Sequence, residues 1–167
     1  MAISPYVQRL RDAVGSRRLL LPSVAALIHD DAGRLLLVRQ RDGGVWSTPG
    51  GGMEPDETPA DAVVREAWEE TGLRVEPRRL FGVYGGPEFI VRYPDGDESQ
   101  YVIIAFECDI QGGALRPDGD ETTEACYWAQ DEAAALPLTP WLQTMLGTFY
   151  TRPPSAGFAP AGWQPPI

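Results

Sequence analysis

Three glutamates set the chemistry that this chain could perform. Glu66, Glu69 and Glu70 fall at i, i+3 and i+4, so on a helix their carboxylates are neighbours. Like charges at that spacing repel. Glu69 and Glu70 also fall in what would be the last helical turn, where the dipole is negative and acids are disfavoured. Arg65 is the base within that run, and one cation does not neutralise three carboxylates. A bound divalent ion would remove the penalty. An all-oxygen donor set suits Mg²⁺, Mn²⁺ or Ca²⁺ better than zinc, which prefers Cys and His. The competing reading is a solvated acidic face, which is what most charge runs are.

The element that must hold these side chains is a helix from about Pro59 to Thr71. Thr58 is a good N-cap and Pro59 suits the first helical position. Asp61, three residues after Thr58, is a short-armed capping box. Gly72 is placed to close the helix in the left-handed conformation. Ala60, Val63, Val64, Ala67 and Thr71 recur at helical spacing and predict the apolar face. Before the helix stand Gly50, Gly51 and Gly52, which permit close backbone approach.

Taken together, Gly51 to Leu73 resembles the signature box of the Nudix hydrolases. The pattern is a glycine, five residues, Glu, seven residues, then Arg-Glu-aliphatic-any-Glu-Glu-any-Gly-aliphatic. Here those positions are Gly51, Glu57, Arg65, Glu66, Ala67, Glu69, Glu70, Gly72 and Leu73. Ala67 is smaller than the family's usual Ile, Leu or Val, a departure that concerns packing rather than ligation. Trp46 to Gly50 and Glu124 to Trp128 also resemble the family, so the likeness runs from about Leu20 to Met145.

The resemblance implies an α/β fold, a Nudix-type α/β/α sandwich with a mixed, curved β-sheet. It implies hydrolysis, with Mg²⁺ (or Mn²⁺), of a diphosphate linkage in a nucleoside diphosphate joined to another moiety. Nucleotide sugars such as ADP-ribose and (d)NTPs are both in that class. Glu66, Glu69 and Glu70 would be metal ligands, joined by the backbone carbonyl of Gly51. Arg65 would orient a glutamate, with Glu57 as its salt-bridge partner and Gly72 in a structural role. The water's proton would go to a box glutamate, Glu69 or Glu70, or to an extra carboxylate further along. Glu121 and Glu124 are the candidates for that extra group, and Glu121 is preferred because its loop gives it more reach. The rival function is a Nudix-like module that binds a nucleotide ligand without cleaving it. Such proteins tend to lose box glutamates, and this chain keeps them. An EF-type calcium loop does not match the spacing.

Composition narrows the partners. The chain has 167 residues, 43% hydrophobic, enough for one domain with a real core. Its net charge of −10 argues against a nucleic-acid polymer or an anionic membrane as partner. A small anionic ligand stays compatible, because metals and local arginines invert the field of one site. All 14 basic residues are Arg, which excludes Schiff-base chemistry and a Walker-type lysine loop. Cys108 and Cys126 stand far apart and read as reduced, in a cytoplasmic setting.

Along the chain, Pro5 to Val14 predicts a short amphipathic helix that packs on the core or on the partner of a homodimer. Residues 1–18 form this lead-in, 19–150 the Nudix domain, and 151–167 a Pro/Gly-rich tail whose Phe158 and Trp163 would rest on something apolar. Leu19 to His29 and Arg34 to Gln40, joined by a turn at Asp30 to Gly33, predict a hairpin. Further strands are expected over Arg74 to Tyr84, Glu88 to Tyr93, Gln100 to Ile110 and around Tyr127, with a last helix from Pro140. Arg39 and Arg41 alternate to one side and are candidates for phosphate contact, or a surface pair. Trp46 and Tyr84 are the aromatic candidates for the substrate, although strand aromatics are more often core.

Overall fold

The computed structural model describes residues 4–93 and 95–157. Phe158 and Trp163, the predicted apolar contacts of the tail, lie outside the described residues, as does Pro94.

The first helix, α1 (Pro5–Val14), starts at Ser4, whose side chain accepts from the Val7 N–H at 3.2 Å. Two sheets follow. One contains β1 (Leu19–Ile28), β4 (Leu73–Tyr84), β5 (Ile90–Arg92) and β6 (Glu98–Gly113), with β6 between β1 and β4 and with β5 also on β6. β1 runs parallel to β6, while β4 and β5 run antiparallel to it. This sheet is therefore mixed. Its β4–β6 ladder shifts register between Arg74 and Val75, between Pro77 and Arg79, and between Leu80 and Gly82. Such bulges bend a strand and increase its twist. The second sheet contains β2 (Leu35–Gln40), β3 (Trp46–Ser47) and β7 (Thr122–Trp128), all antiparallel, in the order β3-β2-β7.

The predicted hairpin is therefore corrected. The turn is present, with the Asp30 N–H on the Arg34 carbonyl at 3.0 Å. Beyond an isolated bridge between His29 and Leu35, however, β1 and β2 part into different sheets. Both strands are buried on both faces. Val24, Ala26, Ile28 and Leu36 join one core, and Ala25, Leu27, Leu35 and Leu37 join the other. Alternation along a strand produces this division.

The box helix α2 (Pro59–Thr71) covers the first core with Ala62, Val63 and Ala67. The second core is covered by α4 (Pro140–Thr151) through Leu142, Leu146 and Phe149, with the short α3 (Gln130–Ala134) adding Ala133. Helices on both sides of the sheets make the α/β sandwich. The expected strand at Glu88 begins instead as a single 3₁₀ turn, Pro87–Phe89, before β5. The tail returns to β4, where Gly157 bridges Gly82.

Candidate active site

α2 begins and ends as its sequence dictates. Thr58 accepts from the Asp61 N–H at 3.2 Å, and Gly72 closes the helix at φ 69°. Its roll about its axis is the surprise. Ala60 is exposed, and the buried side chains include Ala62, Glu66 and Glu70. Two of the three glutamates thus turn into the protein, 8% and 3% exposed respectively. Glu69 stays at the surface.

A glycine loop receives them. It runs beside β1, with the Ala26 N–H on the Pro49 carbonyl at 2.8 Å and the Val24 N–H on the Gly51 carbonyl at 2.9 Å. Gly50 has φ 151°, and a Cβ there would lie 2.2 Å from the Val24 carbonyl oxygen, so no other residue fits. Its N–H donates to Glu70 Oε2 at 2.9 Å. A Cβ on Gly51 would lie 2.6 Å from Glu66 Oε1. The glycines are what let both carboxylates come in.

The Gly51 carbonyl, the predicted backbone ligand, is hydrogen-bonded to β1. It accepts from the Val24 N–H at 2.9 Å and from Ser23 Oγ at 2.8 Å. In the metal-free chain both of its lone pairs are thus engaged with β1.

Arg65 ties the acidic face together. Its Nε and Nη2 donate to the two oxygens of Glu57 at 2.8 and 3.0 Å. Its Nη1 reaches Glu66 Oε1 at 2.8 Å and Glu69 Oε2 at 3.1 Å. The remaining contact is the Gly52 carbonyl at 3.1 Å. Arg65 therefore fixes the loop and the helix in one arrangement, and Glu57 is its bidentate partner. The guanidinium holds the Glu57 carboxyl below its usual range, against the opposing effect of burial. Burial pushes Glu66 up to about 7, with Arg65 opposing and Glu69 and Glu121 adding to the rise. Glu70 is raised well above its usual value, first by burial, with the Gly50 N–H opposing. Burial thus disfavours the ionised forms of Glu66 and Glu70, and one arginine does not offset it.

Glu121 contributes to that field and lines both cavities that flank the glycine loop. Glu124 does not reach them; it pairs with Arg39 at 2.6 Å on the surface. The loop carrying Glu121 is built by residues that the sequence reading passed over. Asp118 Oδ1 accepts from the N–H groups of Asp120, Glu121 and Thr122 at 3.0, 3.1 and 2.9 Å. Thr122 Oγ1 donates to the Glu70 carbonyl at 2.9 Å, tying the loop to α2. The signal was the run Asp118-Gly-Asp-Glu-Thr122, since an Asp before such a turn caps backbone N–H groups.

The four predicted substrate contacts are placed as follows. Arg41 donates from Nε to the Asp120 carbonyl at 2.8 Å and from Nη2 to the Gly119 carbonyl. Arg39 is held by Glu124 and the Gly44 carbonyl. Both brace the 118–124 segment. Trp46 is 5% exposed and meets Trp128 edge to face, with ring centroids 5.4 Å apart. Tyr84 is 8% exposed and packs on Phe149. Neither ring presents a face to a ligand, because β-sheet aromatics fill the core between the sheets.

A family model for the NUDIX domain matches residues 19–149. The chain belongs to the Nudix family. Among its relatives, a MutT-like protein of Streptomyces ambofaciens is 39% identical over 67% of this chain and 66% of its own length. The matched part thus spans just under two thirds of that relative. An ADP-ribose pyrophosphatase of Methanocaldococcus jannaschii is 37% identical, over 75% of this chain and 72% of its own. Among solved structures, an ADP-ribose pyrophosphatase from Streptococcus suis superposes with TM-score 0.61 at 26% identity, covering 82% of this chain and 96% of that one.

This Nudix chain fits a divalent cation in donor chemistry. Its acidic face offers carboxylate oxygens without sulfur or imidazole, and at two of them burial disfavours ionisation unless a counter-ion is present. Among the described residues, no three ligating side chains stand ready-assembled around one point. Arg65 draws Glu66 and Glu69 together, while Glu70 faces Gly50.

The close contact at Gly51 carries its own prediction. In Gly51→Ala the methyl group displaces the Glu66 carboxylate, which is the flexible end of a side chain, so the fold survives. Turnover should fall on the order of a hundredfold from misplacing that group by about 1 Å. Steady-state kinetics beside a thermal melt will separate the two effects, and an unaltered kcat would show that the Glu66 position is unimportant.

Proposed function

We propose that this Nudix pyrophosphohydrolase uses Mg²⁺ or Mn²⁺ to cleave the diphosphate linkage of a nucleoside diphosphate joined to another moiety, such as ADP-ribose. A (d)NTP is the other member of the class. The observation that carries the reading is the buried Glu66–Glu70 pair, set beside the Arg65 fork where two cavities of about 410 and 670 Å³ meet. The 37% identical relative named ADP-ribose pyrophosphatase supports the choice of substrate.

Glu66, Glu69 and Glu70 would hold the cation, and Arg65 keeps Glu66 and Glu69 in place from behind. A cation bound there supplies positive charge to the phosphate oxygens and lowers the pKa of a water. The Glu121 carboxylate, on its braced loop, takes the proton as the water oxygen bonds to phosphorus. The bridging P–O bond breaks, and a nucleoside monophosphate leaves with the phosphorylated other moiety or, from a (d)NTP, with pyrophosphate. The unlinked Cys108 and Cys126 support a reducing, cytoplasmic setting. Among the described residues no helix is long and apolar enough to cross a membrane.

The test is a panel of nucleotide sugars, dinucleotides and (d)NTPs with Mg²⁺, followed by product chromatography. Turnover should appear with the cation and vanish with chelator. A panel without any metal-dependent cleavage would overturn the reading.

A further inference from the structure

Glu121 stands at the end of a stretch without helix or strand, residues 114–121, and yet its backbone is held from two sides. On one side is Asp118. Its Oδ1 accepts from three successive N–H groups, those of Asp120, Glu121 and Thr122, at 3.0, 3.1 and 2.9 Å. On the other side is Arg41. Three successive carbonyls accept from this one residue: Gly119 from Nη2, Asp120 from Nε at 2.8 Å, and Glu121 from the backbone N–H at 2.8 Å.

A β-bulge brings Arg41 to this turn. β2 and β7 pair Arg39 with Glu124 and then Gln40 with Thr122, so Thr123 is the extra residue. Its hydroxyl donates to the Arg39 carbonyl at 3.3 Å. In an unbroken ladder Gln40 would face Thr123, and the alternation of side chains would be reversed from there on. With the bulge, the Arg41 N–H meets the Glu121 carbonyl. Thr122 turns inward, 0% exposed, and its Oγ1 donates to the Glu70 carbonyl at 2.9 Å.

Arg41 itself stays outside. Gln40, Asp42 and Gly43 line the larger cavity together with Glu121, whereas Arg41 is exposed and lines neither cavity. Its guanidinium spans two carbonyls as a planar fork, which a point charge on a flexible stem does not reproduce.

Resting on the hydrolase reading above, in which Glu121 takes the proton, we infer that Arg41 is the positioning residue for Glu121. It acts through the backbone of residues 119–121 and touches neither phosphate nor cation. The carbonyls of 120 and 121 and the N–H groups of 121 and 122 are all engaged, so the main chain at Glu121 is held in one arrangement. A proton acceptor must stand within hydrogen-bond reach of its water. Misplacing it by about 1 Å costs on the order of a hundredfold. Asp118 grips the turn from one side, and Arg41 closes the other.

The experiment joins a double-mutant cycle in Mg²⁺ with amide hydrogen exchange of the metal-free chain. Arg41→Ala should lower kcat by about thirtyfold or more and change KM by less than about threefold. Arg41→Lys, which keeps the charge without the fork, should recover only part of the rate. Glu121→Gln should fall on the order of a hundredfold. Adding Arg41→Ala to it should cost less than about threefold more, because a residue that works through another then has nothing left to position. In Arg41→Ala the Glu121 and Thr122 amides should exchange at least about tenfold faster. Arg39→Ala, which removes contacts with Glu124 and the Gly44 carbonyl, should leave their exchange as in the wild type. Circular dichroism will verify that each variant is folded. A raised KM at wild-type kcat would assign Arg41 to the substrate and overturn the inference. Independent losses that multiply in the double variant, unaltered exchange in Arg41→Ala, or full activity in Glu121→Gln would overturn it as well. A wild-type chain that cleaves no substrate would instead sink the hydrolase reading, and the exchange rates would then decide alone whether Arg41 holds the turn.

Discussion

Replacing Glu70 by glutamine should abolish most turnover while making the metal-free protein more stable. Glu70 is 3% exposed, and its Oε2 accepts the Gly50 N–H at 2.9 Å. A glutamine carbonyl keeps that bond, so the glycine loop stays in place. The substitution removes only charge. In the metal-free wild type, burial has raised the Glu70 pKa well above its usual value. At neutral pH the folded chain must either hold a buried anion or take up a proton that the unfolded chain does not need. Either course costs stability, and glutamine avoids both. The melting temperature of the variant should rise by a few degrees, corresponding to roughly 1–2 kcal/mol. Its turnover should drop on the order of a hundredfold to a thousandfold, the scale seen when one electrostatic contribution to a transition state is lost. Mg²⁺ should raise the wild-type melting temperature and raise that of Glu70→Gln much less, since ligand binding stabilises only by its affinity for the folded state. Kinetics and melts with and without Mg²⁺ check all of this. Near-wild-type activity would remove Glu70 from the metal site.

Local chemistry was legible in the sequence, and three-dimensional orientation was not. α2 begins and ends where its cap, proline and glycine predict, because a cap acts over one turn of chain, and α1 spans the range its apolar spacing predicts. The i, i+3, i+4 spacing established that the three carboxylates are neighbours. It did not establish the roll of the helix, which brought Glu66 and Glu70 inside and left Glu69 outside. That roll is set by a loop 13 or more residues away that packs onto the helix, as the Arg65–Gly52 contact shows. The same limit accounts for β1 and β2. Apolar runs show that a strand is buried, but a strand buried on both faces carries no mark of which sheet it joins. Arg39 and Arg41 had the right chemistry for phosphate. Their commitment to Glu124 and to the carbonyls of residues 119 and 120 follows from a register, β2 against β7, that two distant segments determine together. Asp118 was the most recoverable omission, since its capping bonds are local.

The metal-free protein should also lose a specific part of its stability as pH rises. Glu66 has an ordinary value of 4.5 and stands at about 7 in the folded chain, chiefly through burial. Its contribution is fully present below pH 4.5, where both states are protonated, and is lost as pH rises through 7. His29 titrates with the opposite sense in the same window. Burial, with Arg152 nearby, lowers it from 6.5 to about 4, so its contribution is present above 6.5 and is lost as pH falls toward 4. A plain stability profile would sum the two. The informative quantity is the difference between Glu66→Gln and wild type in the presence of chelator, from which the histidine cancels. That difference should be near zero at the acid end and grow to on the order of 3 kcal/mol in favour of the variant at neutral pH. Removing Glu66 also relieves Glu70, whose pKa the Glu66 charge helps to raise, so the coupling acts in the same direction. Mg²⁺ should reverse the order. Its ligands must be ionised, so its stabilisation of the wild type grows over the same pH range in which the bare site becomes unfavourable. Denaturant melts at a series of pH values, with chelator and then with Mg²⁺, measure both curves. A flat difference in chelator would mean that Glu66 stands ionised and solvated in the folded chain, and the buried charge that calls for the cation would not exist.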